Sequence, residues 1–188
     1  LRPAPAGLRK VVVATNLAET SLTIEGVRIV VDAGLERRQR FDPNSGMSRL
    51  ETVAISRASA DQRRGRAGRT APGVCYRLWS ESAHASLSAQ AVPEILEADL
   101  APLALELACW GANDPQSLAW LDPPPLATLT QAKELLYRLE AIDERGHATP
   151  IGRRMASLGT HPRLAHMIER GAALGLVDLA CDIAGLVS

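Results

Sequence analysis

Two short runs of β-branched residues, Lys10-Val-Val-Val-Ala14 and Val27-Arg-Ile-Val-Val-Asp32, constrain the fold most. Their composition is that of buried parallel strands. The second run ends in Asp32-Ala-Gly34, a natural strand-to-loop exit. Between them lies Thr15–Ile24, polar at its start and with helical character around Asn16–Ser21. Strand, polar connection and strand define an α/β arrangement, and α/β folds place their ligands in loops after the carboxyl ends of parallel strands.

The most informative loop lies further on, at Gln62-Arg-Arg-Gly-Arg-Ala-Gly-Arg69. Arg presents a planar fork of donors that matches phosphate oxygens bidentately, and Gly removes side chains that would keep a charged ligand from the backbone. The octet therefore points to a phosphate or a phosphoryl group. If Ser59–Arg69 starts a helix, Gln62, Arg66 and Arg69 fall at four- and three-residue spacing and share one face. The competing reading is a basic, glycine-broken surface loop, which gives no reason for a polar, uncharged Gln62 at the head of the run.

With 188 residues, 46% of them hydrophobic, the chain has the material for one ordinary domain or two small ones with a folded core. No apolar run approaches the ~20 residues that span a bilayer. The amino terminus lacks the order of a signal peptide and has no initiator Met, so a piece of a longer, cytoplasmic protein is expected. Cys75, Cys109 and Cys181 are odd in number and far apart, which excludes a disulfide framework and a Cys-x-x-Cys metal pair. The net charge of zero conceals a split. Residues 1–78 hold 14 Lys and Arg against 7 Asp and Glu, a balance of +7, and residues 79–188 hold 7 against 14. Polyanion contact is expected in the first part.

Leu35–Phe41 and Met47–Ile55 flank Asp42-Pro-Asn-Ser-Gly46, a turn sequence, and so form a hairpin. Arg37, Arg38 and Arg40 on its first arm predict a protruding basic ribbon, and Gly73–Trp79 returns to a strand pattern. From residue 80 the pattern turns helical. Asp99 caps a helix with Leu100, Leu103, Ala104, Leu107 and Trp110 on one face and Gly111 as its stop. A second helix spans roughly 130–139 with Ala132, Leu135, Leu136 and Leu139 inward, and Ala141–Pro150 forms a short hairpin turning at Arg145-Gly146. Helix, helix and small wing suggest a winged-helix unit, and 151–188 reads as short helices punctuated by Gly159, His161-Pro162 and Gly175.

These elements together resemble the carboxyl-terminal half of superfamily-2 helicases of the DEAH/RHA type. Thr15-Asn-Leu-Ala-Glu-Thr-Ser-Leu-Thr-Ile24 is similar to motif V and Gln62–Arg69 to motif VI, in the family's order and separation. Leu121-Asp-Pro-Pro-Pro125 with Glu134-Leu-Leu-Tyr-Arg-Leu139 resembles the winged-helix domain. Thr149–Leu158 resembles the start of the helical ratchet domain. Leu158–Met167 is most similar to the bacterial HrpB-type subfamily. The fold implied is α/β: a truncated RecA-like parallel sheet with a β-hairpin (1–92), a winged-helix domain (93–150) and the start of a ratchet domain (151–188).

The resemblance implies an ATP-dependent RNA helicase in which Gln62, Arg66 and Arg69 reach the γ-phosphate of ATP, with the two arginines as fingers. It assigns Thr15 and Asn16 to a sugar-phosphate backbone, Ser21 to sensing the nucleotide state, and Glu25, where relatives often carry Asp, to the ribose. Arg37, Arg38 and Arg40 become candidates for phosphate contact on the strand, or else a charged edge that blocks sheet aggregation. Arg63 and Arg64 read as structural ion-pair or nucleic-acid residues. His84, His147, His161 and His166 have no ligand spacing, and Trp79, Trp110 and Trp120 read as core anchors.

No Gly-x-x-x-x-Gly-Lys-Ser/Thr and no Asp-Glu-Ala-His run occurs in the 188 residues. The magnesium ligands and phosphate cradle are therefore expected in a first RecA-like domain of the same chain, and the segment alone is expected to be inactive. Expected partners are single-stranded nucleic acid, by family default RNA, and ATP with Mg2+, with no membrane. A static nucleic-acid-binding module built on the winged helix and basic hairpin, or an adaptor using the acidic half, are the alternatives.

Overall fold

Of the two β-branched runs, only the second becomes a strand. In the structure, a computed structural model that describes residues 7–20, 26–42, 47–112 and 114–187, β1 (Ile29–Asp32) pairs in parallel with β4 (Val74–Arg77), Ile29 opposite Val74 and Asp32 opposite Arg77. Residues 8–15 form no strand, and Val11 and Val13 are 88% and 95% exposed. The expectation of two buried strands is thus corrected. The apolar residues suit a sheet interior, but among the described residues no neighbouring strand offers a ladder or a covering face. Ile29 and Val31 are likewise exposed.

The chain divides into two compact units, Leu1–Val92 and Pro93–Ser188. In the first, α1 (Leu17–Thr20) precedes β1, and the hairpin β2 (Leu35–Asp42) and β3 (Met47–Ala54) follows, Leu35 facing Ala54 and Asp42 facing Met47. The tip residues 43–46 lie outside the described residues. Next come α2 (Arg57–Arg64), β4 and α3 (Glu81–Ser86). Ser56 caps α2 by accepting from the Ser59 amide at 3.1 Å, satisfying a donor that the first turn leaves unpaired. Ile55, Ala60 and Ala67 are buried apolar residues of this unit.

The second unit is helical: α4 (Ala101–Trp110), α5 (Leu126–Arg138), α6 (Pro150–Ser157), α7 (Pro162–Ala173) and α8 (Val177–Val187). Asp99 Oδ1 accepts from the Ala101 amide at 2.8 Å to start α4, and Gly111, at φ 88°, ends it in the left-handed conformation that glycine adopts without cost. Trp110 is 75% exposed, so it is no core anchor; Ala101, Ala104, Leu105 and Leu107 fill the buried face. Helix α5 begins four residues before the expected 130, because Pro125 supplies an extended residue directly ahead of Leu126. The wing reduces to a single antiparallel bridge, Ile142 with Ala148. Leu136 and Met155, fully buried, anchor the core that α4, α5 and α6 share. Helix α6 approaches so closely that a Cβ on Gly152 would lie 2.0 Å from the Ala141 carbonyl oxygen.

Candidate active site

The arginine octet spans a helix and the turn beyond it. Helix α2 stops at Arg64, and Gly65, Arg66 and Ala67 continue in turns closed by Arg66 N–H to Arg63 O (3.0 Å) and Ala67 N–H to Arg64 O (3.1 Å). Gln62 therefore sits on the last helical turn while Arg66 and Arg69 are carried by the following loop, which corrects the expectation of one helix face running to Arg69. The helix ends at its C-cap, Gly65, and Ala67 in the turn beyond is buried.

A backbone contact fixes that loop. Ala67 is 3% exposed, and a Cβ on Gly73 would lie 1.7 Å from the Ala67 carbonyl oxygen and 2.8 Å from that of Arg28. Only glycine lets the entry to β4 press against both the arginine turn and the residue ahead of β1. Gly68 behaves oppositely: it is exposed, and a Cβ there would meet nothing within 4 Å. The main chain between half-buried Arg66 and exposed Arg69 is thus open to approach. Guanidinium, amide and uncovered backbone N–H groups are donor types that fit phosphate oxygens.

Arg63 faces the other way, into the protein. Its Nε donates to Glu19 Oε1 at 2.6 Å, and its Nη1 donates to Asp32 Oδ1 at 2.9 Å and to the Leu35 carbonyl at 3.0 Å. The Ser59 hydroxyl donates to Glu19 Oε2 at 2.7 Å, so α2 engages both oxygens of that carboxylate. Burial opposes the Arg63 charge, but the hydrogen bonds to Glu19 and Asp32 outweigh it and raise its pKa. Asp32 also accepts from the Gly34 amide at 2.9 Å. Sequence reasoning placed Arg63 among structural ion-pair residues but gave it no partner. Glu19 and Asp32 carried no signal beyond charge and a strand end, because ion pairs 44 and 31 residues apart have no periodicity.

Arg64 is exposed and lies 3.5 Å from Asp61. Asp61 has a shorter partner in Arg77, at 2.8 Å, and that hydrogen bond is the main cause of its lowered pKa. Beside it the Arg77 guanidinium lies 5.8 Å from the centroid of the half-buried Trp79 ring, whose atoms come within 2.7 Å of the Cβ position of Gly34.

Thr15 and Asn16, both exposed, open α1, their carbonyls accepting from the amides of Ala18 (3.1 Å) and Glu19 (2.9 Å). Ser21 and Glu25 lie outside the described residues. The hairpin is far less basic than its first arm suggests. Arg37, Arg38, Arg40 and Arg49 are set against Glu36, Asp42 and Glu51, a balance of +1. Arg38 pairs with Glu36 at 2.6 Å, and Glu51 takes Arg49 at 2.8 Å and Arg40 at 3.6 Å. Strand pleating puts these charges on one face and Arg37 on the other, beside Thr52.

The comparisons with known proteins bear on this geometry. Residues 2–71 match the family described as helicase conserved C-terminal domain, and residues 134–159 the helicase-associated HA2 winged helix. The chain is 52% identical over 167 residues to the ATP-dependent RNA helicase HrpB of Escherichia coli, covering 88% of this chain and 20% of the relative. A crystal structure of the E. coli DEAH/RHA helicase HrpB superposes with a TM-score of 0.82 at 51% identity, covering 88% of this chain and 21% of that one. Over 88% of its length the chain is similar to DEAH/RHA helicases.

It is also 44% identical to the pre-mRNA-splicing factor ATP-dependent RNA helicase prp22 of Schizosaccharomyces pombe, over 99% of this chain and 16% of the relative. The chain thus spans about a fifth or less of the curated relatives it matches. In DEAH/RHA terms, the first unit is RecA-like α/β structure with a parallel sheet, and a winged helix follows it. Among the described residues no group of three or more His, Cys, Asp or Glu could hold a metal ion, and no helix is long and apolar enough to cross a membrane.

Proposed function

We propose that this chain is the part of an ATP-dependent RNA helicase that supplies motif V and the arginine fingers of the ATP site. The observation that carries the reading is the loop after α2: Arg66 and Arg69 flank an open Gly68 on a turn pinned by Ala67 against Gly73. A pinned turn holds its guanidiniums in place before a ligand arrives, which is what charge stabilisation of a transferring phosphoryl group requires.

In this reading Gln62, Arg66 and Arg69 hold and neutralise the terminal phosphate, and ATP supplies the phosphoanhydride whose hydrolysis drives strand movement. Thr15, Asn16 and the arginines of the hairpin bind the sugar-phosphate backbone, Ser21 senses the nucleotide state and Glu25 meets the ribose. Magnesium is held by residues of a first RecA-like domain elsewhere in the same protein. Residues 1–92 form part of the second RecA-like domain, 93–150 the winged helix and 151–188 the start of the ratchet domain. Single-stranded RNA is the proposed track, in the cytoplasm.

The rival reading, a static binder built on a basic hairpin, is weakened by the pairing of Arg38, Arg40 and Arg49 with acids on the hairpin itself. The test is magnesium-dependent ATPase of the full-length protein with and without RNA, beside residues 1–188 alone. Turnover in the first and none in the second is expected; robust turnover by residues 1–188 alone would sink the proposal.

A further inference from the structure

Among the described residues α1 has four, too few to hold a helix by themselves, since nucleation is unfavourable and tertiary contacts must supply the stability. Glu19 ties α1 to α2 through both of its carboxylate oxygens: Oε1 accepts from Arg63 and Oε2 from Ser59. The same guanidinium grips Asp32 at the exit of β1 and the Leu35 carbonyl at the base of the hairpin. Arg63 is thus the common tie of three segments, and it follows Gln62 directly in the chain.

We infer that Arg63, acting through Glu19 and Asp32, is a positioning residue that sets the Thr15–Asn16 turn and the hairpin base relative to the arginine turn, coupling strand binding to phosphate turnover. This rests on the reading given under Proposed function. Arg63 and Glu19 touch neither ligand in that reading. The side chains are 15%, 12% and 0% exposed for Arg63, Glu19 and Asp32, so the tie is shielded from the solvent that makes surface pairs weak.

A guanidinium suits the task because its fork reaches Glu19, Asp32 and the Leu35 carbonyl at once. Lys has one ammonium centre and cannot span all three. The tie therefore keeps Thr15 and Asn16 in a set relation to α2, so a strand held by them acts on the arginine turn through Glu19 and Arg63.

The test uses the full-length protein with Arg63→Lys and Glu19→Gln, both close in size to the originals. Basal ATPase and the concentration of a polyuridylate RNA giving half-maximal stimulation are measured, together with hydrogen exchange of the amides of α1 and β4. The expected result is unchanged basal turnover, a half-stimulating RNA concentration raised about tenfold or more, and faster exchange in α1 with β4 unaltered. A purely structural role would instead lower basal and stimulated rates in equal proportion as folded protein is lost, and that outcome overturns the inference. So does normal stimulation in both variants. A wild-type protein with no ATPase at all overturns the helicase reading and the coupling with it, so the two failures are distinguishable.

Discussion

The Gly73 backbone sits against the Ala67 carbonyl, leaving 1.7 Å where a Cβ would stand. That contact joins the start of β4 to the arginine turn and explains why the turn keeps its shape without being helix. Backbone on both sides cannot swing aside like a flexible side chain.

Gly73→Ala is therefore expected to destabilise the first unit by about 1–3 kcal/mol, the usual cost of overpacking, or more. Urea denaturation of the full-length protein checks it. Gly68→Ala, with open space around it, should leave the same transition unmoved while weakening nucleotide binding, because its methyl group occupies the approach to the main chain. Equal destabilisation by both would refute the pinned-turn account.

The two adjacent arginines of the octet should separate cleanly. Removing Arg63 by Arg63→Ala strands the Glu19 and Asp32 carboxylates in a shielded site, at a cost of about 3–5 kcal/mol. Arg64→Ala removes a 63% exposed side chain 3.5 Å from Asp61, and such pairs contribute about 0–1 kcal/mol. Chemical denaturation of the two variants compares them directly, and similar losses would contradict the buried tie.

In the second unit, Asp99 accepts from the Ala101 amide through Oδ1, and Oδ2 lies 2.7 Å from His161 Nε2. Because His161 Nδ1 accepts from the Arg163 amide, Nε2 carries the proton toward Asp99. Burial raises the Asp99 pKa, but the bonds from His161 and Ala101 prevail and hold it below 3.8. A carboxyl with a depressed folded pKa stabilises fully above its unfolded value and loses that contribution as pH falls through the folded one. Stability of this unit should decline below pH 3.8, and Asp99→Asn should flatten that acid limb. Thermal melts across pH 2–6 read it, and an unchanged acid limb would count against the pair.

The sequence was legible where local chemistry decides: the stop at Gly111, the hairpin from 35 to 54 and the turn at Gly146 formed where their residue types direct, while Asp99 sits one residue ahead of the N-cap Leu100 and accepts from the Ala101 amide. It misled where the environment decides. Val11 and Val13 have the composition of a sheet interior, yet strand formation needs a partner ladder that the described residues do not provide. Trp110 shares helical spacing with buried Leu107 but points to the exposed side of α4. Arg37, Arg38 and Arg40 read as a basic ribbon until pleating sets Arg38 and Arg40 beside Glu36 and Glu51. Most of the site's organisation came from Arg63 bridging Glu19 and Asp32 across 44 and 31 residues, a relation that no spacing in the sequence encodes.

The central claim is that Arg66 and Arg69 act on a transferring phosphoryl group, and the most direct measurement is single-turnover ATP hydrolysis by full-length protein carrying Arg66→Ala, with RNA affinity measured alongside. Arginine fingers contribute about 10³–10⁵ in rate, so the account predicts a fall of at least about a thousandfold with RNA binding preserved. Hydrolysis at the wild-type rate with weakened RNA binding would contradict it and make the octet a nucleic-acid contact.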